Sequence, residues 1–119
     1  MNTISLAFSS TRKLLQANNM NKYLIVVKDF ADSECLSRRL SVRQRHMEGA
    51  KIIKQNQVLD IGGAILDESQ DDKMSGSFLI VNADSVEDVR TLLKNDIYGQ
   101  SRVWDVENAQ ITKIKVAPL

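Results

Sequence analysis

An α+β domain in the order β-α-β-β-α-β is predicted by three features of the 119-residue sequence: four short β-branched or alternating runs, two longer segments with apolar residues at helical spacing, and polar or glycine-containing breaks between them. A chain of this length with 43% apolar residues suits one compact core. The strands themselves indicate their order. The first and third, Leu24-Ile25-Val26-Val27 and Phe78-Leu79-Ile80-Val81, are apolar on both faces, whereas the second and fourth include Asp60, Gln110, Lys113 and Lys115. In a ferredoxin-like split β-α-β sheet the first and third strands are the central pair, and this pattern fits that sheet. Two helices cover only one face of such a sheet. The other apolar face needs a cover, so the sequence predicts a homodimer with two sheets packed face to face.

Each element has a local cause. Residues 22–28, Lys-Tyr-Leu-Ile-Val-Val-Lys, are too short a run for a typical helix and rich in strand formers. Residues 34–40 read as a short helical turn. Ser41 followed three residues later by Gln44 reads as a capping box opening the main helix, which continues to about Asn56. Strand character resumes over 58–66 around Gly62 and Gly63, a pair that suggests a bulge or a close backbone approach. Residues 67–75 are polar and acidic, hence a loop, and 76–83 form the third strand. Ser85 caps a helix with Val86, Val89, Leu92 and Leu93 at helical spacing, ending near Asn95. Residues 96–105 read as irregular, and 106–116 as the last strand before Pro118.

Residues 1–20 stand apart from the rest. They hold Arg12, Lys13, five hydroxyl residues and no Asp or Glu, with Ile4, Phe8 and Leu15 on one helical face. That composition predicts a mitochondrial transit peptide and a matrix location, the alternative being a disordered tail on a cytoplasmic protein. Residues 21–119 form the domain.

Charge and cysteine content narrow the function. Sixteen basic against 15 acidic residues leave a formal charge of +1, without the one-sided excess that phosphate-backbone binding demands, so nucleic acid is not expected as a partner. One cysteine, Cys35, and one histidine are too few for a closed zinc site; no metal and no cofactor are expected. Cys35 reads as a reduced, semi-buried helix residue. No apolar run approaches the roughly 20 residues needed to cross a bilayer, and no membrane partner is expected.

The chemistry concentrates in 38–46, Arg-Arg-Leu-Ser-Val-Arg-Gln-Arg-His. Residues three or four apart share a helix face, so Arg39, Arg43 and His46 could converge on one anionic ligand, with the imidazole moving its proton. The competing reading is a hydrogen-bonded core histidine, since Val42, Ala50 and Ile53 continue its face. Arg38 and Arg45 are expected on a solvated face or in an ion pair. Tyr98 and Trp104 read as core or interface aromatics that could also close one side of a pocket. The glycine pair lacks the Lys-Ser/Thr of a phosphate loop.

Asp29, Ala31-Asp32-Ser33, Arg39-Leu40-Ser41-Val42-Arg43 followed by His46, Gly62-Gly63, Gly76, and Asp96 with Tyr98 together resemble the YciI-like (YCII-related) family over about residues 23–116. The Arg-Leu-Ser-Val-Arg-x-x-His element is the most specific part. The resemblance implies a dimeric barrel of ferredoxin-like protomers and a pocket holding the histidine with an acidic partner, Asp96 or Asp29. Relatives of this architecture act on small cyclic or aromatic compounds, by dehydrochlorination and lactone isomerisation among other reactions. The sequence departs from the family pattern at Gln44 and Ile97, where proline is common, and at Gln55 and Gln57, where an acid and a glycine are frequent. Two functions follow as expectations. The first is cofactor-independent acid–base catalysis of isomerase or lyase type on a small anionic or cyclic metabolite, with His46 and Asp96 catalytic and Arg39, Arg43 and Tyr98 binding substrate. The second is a non-catalytic dimeric binding or accessory module using the same cleft.

Overall fold

A computed structural model describes residues 20–119; the acid-free segment at the start of the chain lies outside them, and with it the targeting expectation. Strand β1 spans Asn21–Lys28, helix α1 Cys35–Gln55, β2 Leu59–Asp67, β3 Lys73–Ala83, α2 Val86–Asn95, the single turn α3 Ile97–Gln100 and β4 Gln110–Ile114. The four strands make one antiparallel sheet in the order β2-β3-β1-β4, with the two most apolar strands in the middle. This is the α+β ferredoxin-like arrangement read from the strand composition.

Alternation along the central strands divides the sheet into two faces. Tyr23, Ile25 and Val27 of β1 and Leu79 and Val81 of β3 are buried in one core with Val89 and Leu93 of α2 and with Tyr98, Val103 and Trp104 beyond it. On the opposite face Leu24 pairs with Ile80 and Val26 with Phe78, all four half-buried in the chain alone. Lys22 closes one end of that face, donating to Asp60 at 2.5 Å and to Asn82 at 2.9 Å.

Several boundaries differ from those expected. Ser41 does not open a helix: α1 runs unbroken from Cys35, and the Ser41 hydroxyl donates back to the Arg38 carbonyl at 2.8 Å. Its backbone N–H lies inside a continuing helix, so there is no orphan donor to cap. Arg43 and His46 consequently sit in mid-helix, away from any favourable dipole end. The loop expected over 67–75 contracts to a 3-10 turn at Glu68–Gln70 and two left-handed residues, Asp71 and Asp72, because the β2–β3 ladder extends to Asp67 opposite Lys73. The last strand is shorter than expected, since Val106–Asn108 form a 3-10 turn. Ser85 does cap α2, accepting the Asp88 N–H at 3.1 Å.

The two ends of α1 are held differently. At its N-terminus Arg38 forks onto Asp32 at 2.7 and 2.9 Å and donates to the Arg102 carbonyl, and Cys35 is buried against Val103, where burial pushes its thiol up. At its C-terminus Val58 N–H reaches Ile53 O and Gln57 N–H reaches Lys54 O, a Schellman closure with Gln57 at φ 61°. Glycine is the usual occupant of that left-handed position, and here glutamine bears the steric cost.

Candidate functional site

Helix α1 stands off the sheet. Only Cys35 and Arg39 of its 21 residues are buried, because a cavity of about 340 Å³ lies beneath it, over β2 and β3. Ligand pockets usually start at about 300 Å³. Arg39, His46, Ala50 and Ile53 follow one another at sevens and threes or fours along the face turned to this cavity, and Arg43, Met47 and Lys51 edge its mouth at spacings of four. The opposite side of the cavity is Gly62-Gly63-Ala64 of β2, nearly without side chains. A Cβ on Gly63 would lie 2.7 Å from the Phe78 ring. Gly63 is therefore a close approach to a side chain, whereas Gly62 has room for a Cβ, and register shifts of β2 flank the pair, between Leu59 and Ile61 and between Ile65 and Leu66.

His46 is placed by three neighbours. Its Nδ1 is 2.7 Å from Asp96 Oδ1, its ring stacks on Tyr98 with centroids 3.7 Å apart and planes 8° apart, and Trp104 meets it edge-on at 5.4 Å. Asp96 is the corner between α2 and α3. It has extended backbone angles and its Oδ1 also accepts the Tyr98 N–H at 2.8 Å, capping the short α3. One carboxylate oxygen thereby fixes both the aromatic platform and the imidazole lying on it. An ionised carboxylate only accepts, so Nδ1 carries a proton, and in the neutral ring the lone pair is on Nε2. With its side chain 15% exposed and lining the cavity, His46 has the cleft access that a core histidine lacks.

Arg39 occupies a different environment from the one expected of a free anion anchor. Its Nη1 donates to Asp29 Oδ1 and Oδ2 at 2.8 and 2.9 Å, and its Nη2 donates to Ser77 Oγ at 3.1 Å. Ser77 Oγ also accepts from Trp104 Nε1 at 2.9 Å. The Arg39 guanidinium carbon lies 4.8 Å from the centre of the Tyr98 ring. Asp29, the other candidate partner of His46, is thus committed to Arg39; burial pushes its carboxyl up, against the pull of that guanidinium. Burial likewise raises the Tyr98 phenol, against Arg39 and Arg43, so its hydroxyl stays protonated near neutral pH.

His46, Asp96, Tyr98, Arg39 and Arg43 thus all border one cavity. Arg43 lies exposed at the mouth with no carboxylate partner among the described residues. Sequence reasoning missed Ser77, which joins Arg39 to Trp104. Its signal was a lone hydroxyl on the helix-facing side of a strand otherwise apolar there.

Comparison with known proteins bears on this arrangement. The 5-chloro-2-hydroxyhydroquinone dehydrochlorinase TftG of Burkholderia phenoliruptrix AC1100, solved in complex with 2,5-dihydroxybenzoquinone, superposes with a TM-score of 0.64 and 24% identity over 81% of this chain and 95% of its own, which shows the shared fold. Fusaric acid biosynthesis protein 2 of Gibberella moniliformis is 22% identical over 83% of this chain and 97% of its own length. The aspartate kinase FUB3 of Fusarium oxysporum f. sp. lycopersici is 24% identical over 85% of this chain, which spans only 19% of that protein. A family model, the YCII-related domain, matches residues 21–115, and the chain belongs to that family.

Proposed function

We propose that the protein is a cofactor-independent acid–base catalyst of small cyclic compounds, with His46 as the proton carrier. The observation that carries this reading is the 2.7 Å contact of His46 Nδ1 with Asp96, which leaves Nε2 as the free nitrogen of a ring that lines an apolar-walled cavity. Nε2 takes a proton from an acidic C–H or O–H of the bound ring, and the freed electron pair moves into the ring. The resulting imidazolium is stabilised by Asp96 and by the Tyr98 ring on which it lies, while the positive charge of Arg43 at the mouth favours an anionic substrate. Returning the proton to a different carbon completes an isomerisation; departure of a leaving group with its electron pair completes an elimination. A relative of the same fold is named a dehydrochlorinase and binds a dihydroxybenzoquinone, which supports the cyclic class of substrate.

The test is incubation in D₂O with a panel of chlorinated hydroquinones and unsaturated lactones, followed by mass spectrometry of each compound. Deuterium gain or chloride loss that falls about 10²–10⁴-fold in His46→Asn supports the reading. Unchanged turnover in that variant removes His46 from the mechanism; ligands that bind without turnover in the wild type point to the binding module. A homodimer through the half-buried Leu24, Val26, Phe78 and Ile80 face, and mitochondrial import directed by the acid-free first twenty residues, belong to the same proposal.

A further inference from the structure

We infer that the ligand of this cavity is two-ended, an apolar ring that meets His46 and a carboxylate that projects to the mouth, where Arg43 and Lys51 hold it. This rests on the His46 cavity as the binding site and names the class of molecule that enters it. The first ground is charge. The lining holds one carboxylate, Asp96, already engaged by His46 and by the Tyr98 N–H, against Arg39, Arg43, Lys51 and Lys54. Asp29 neutralises Arg39, and Lys54 donates to the Asp60 backbone carbonyl while the Asp60 carboxylate takes Lys22. Arg43 and Lys51 have no ion pair among the described residues.

The second ground is placement. Arg43 and Lys51 are two steps of four apart on α1 with Met47 between them, so both project along the same edge of the mouth, roughly 12 Å apart along the helix axis. Lys51 is roughly 8 Å along that axis from His46. Opposite them the Gly62-Gly63-Ala64 stretch leaves the entrance open and offers no acid. A neutral apolar ligand would fill the walls and leave both cations facing water; a dianion with closely spaced charges would have to leave the apolar interior. A single carboxylate on an apolar body satisfies the rim and the walls together.

Trp104, the only tryptophan of the chain, lines the cavity, so its fluorescence reads occupancy there. The probes are 4-phenylbutyrate and its neutral counterpart 4-phenylbutanol, titrated into the full chain at low ionic strength. The expected result is about tenfold tighter binding of the carboxylate, lost in the Arg43→Met/Lys51→Met double variant while the alcohol binds as before. Equal affinities in the wild type, a preference that survives the double variant, or no response to either probe at millimolar concentration overturns the inference. Circular dichroism of the double variant checks that α1 is intact. His46→Asn in the same titration separates the two readings. If it keeps the carboxylate preference, the anionic end stands whether or not His46 proves catalytic; if it loses it, the preference does not come from the rim.

Discussion

Asp96 Oδ1 accepts from two groups at once, the His46 ring at 2.7 Å and the Tyr98 backbone N–H at 2.8 Å. The same oxygen therefore ties the folding of α3 to the tautomer of the imidazole. Asp96→Asn can keep the cap through its amide oxygen but loses the charge that stabilises the imidazolium. Stability should change by less than about 1 kcal/mol in urea unfolding, while turnover falls about 10²-fold or more. A loss of stability matching the loss of turnover would mean that Asp96 only builds the corner.

Arg39 and Asp29 form a buried pair, with side chains 4% and 6% exposed. Removing one partner strands the other, so Arg39→Met or Asp29→Leu alone should cost about 3–5 kcal/mol in chemical denaturation. The double replacement should recover much of that loss, because neither charge is then left unpaired. A double variant as unstable as the sum of the singles would show that the pair is held by packing and not by its charges.

Gln57 closes α1 in a left-handed conformation, φ 61°, which a side chain makes costly. Gln57→Gly should stabilise the domain by about 1 kcal/mol and raise the melting temperature by a few degrees. No gain would mean that the Gln57 side chain makes interactions worth the strain.

The Arg38 guanidinium holds the exposed Asp32 carboxyl at about 2, below its ordinary value of 3.8. A depressed acid contributes stability above its unfolded value and loses it as pH falls through the folded one, so the Arg38–Asp32 clamp should loosen between about pH 4 and pH 2. Carboxyl-detected NMR should find Asp32 titrating near 2 in the wild type and near 3.8 in Arg38→Gln. An unshifted Asp32 in the wild type would show that the fork does not persist in solution.

The half-buried sheet face supports a homodimer. Light scattering should give twice the 13.4 kDa chain mass, and Ile80→Lys, placing a charge opposite Leu24 on that face, should give a monomer. A wild-type monomer at micromolar concentration would contradict the two-sheet argument.

Much of this fold was legible because its determinants are local or periodic. The β-branched run of β1, the two-faced apolar character of β3 and the Ser85 cap are all short-range, and they specify strands, order and one helix start. The Ser41-x-x-Gln44 pattern misled because a capping box is recognised by spacing alone, and the same spacing occurs inside an uninterrupted helix. Arg39 was read with Arg43 because they share a helix; only the fold brings Asp29 and Ser77 against the first and leaves the second at the rim. The turn α3 escaped notice because its cap, Asp96, directly follows α2 with no polar spacer between them. His46 and Asp96 are fifty positions apart, so no local spacing marks their contact; the family resemblance offered Asp96 beside Asp29, and only the fold decides between them.

In the proposed mechanism His46 keeps Nε2 unprotonated because Asp96 holds the proton on Nδ1. With a single histidine in the chain, long-range ¹H–¹⁵N correlation of the imidazole reads this without assignment ambiguity. At a pH where the ring is neutral, the Nδ1–H tautomer is expected in the wild type and is lost in Asp96→Ala. An Nε2–H tautomer in the wild type would contradict it.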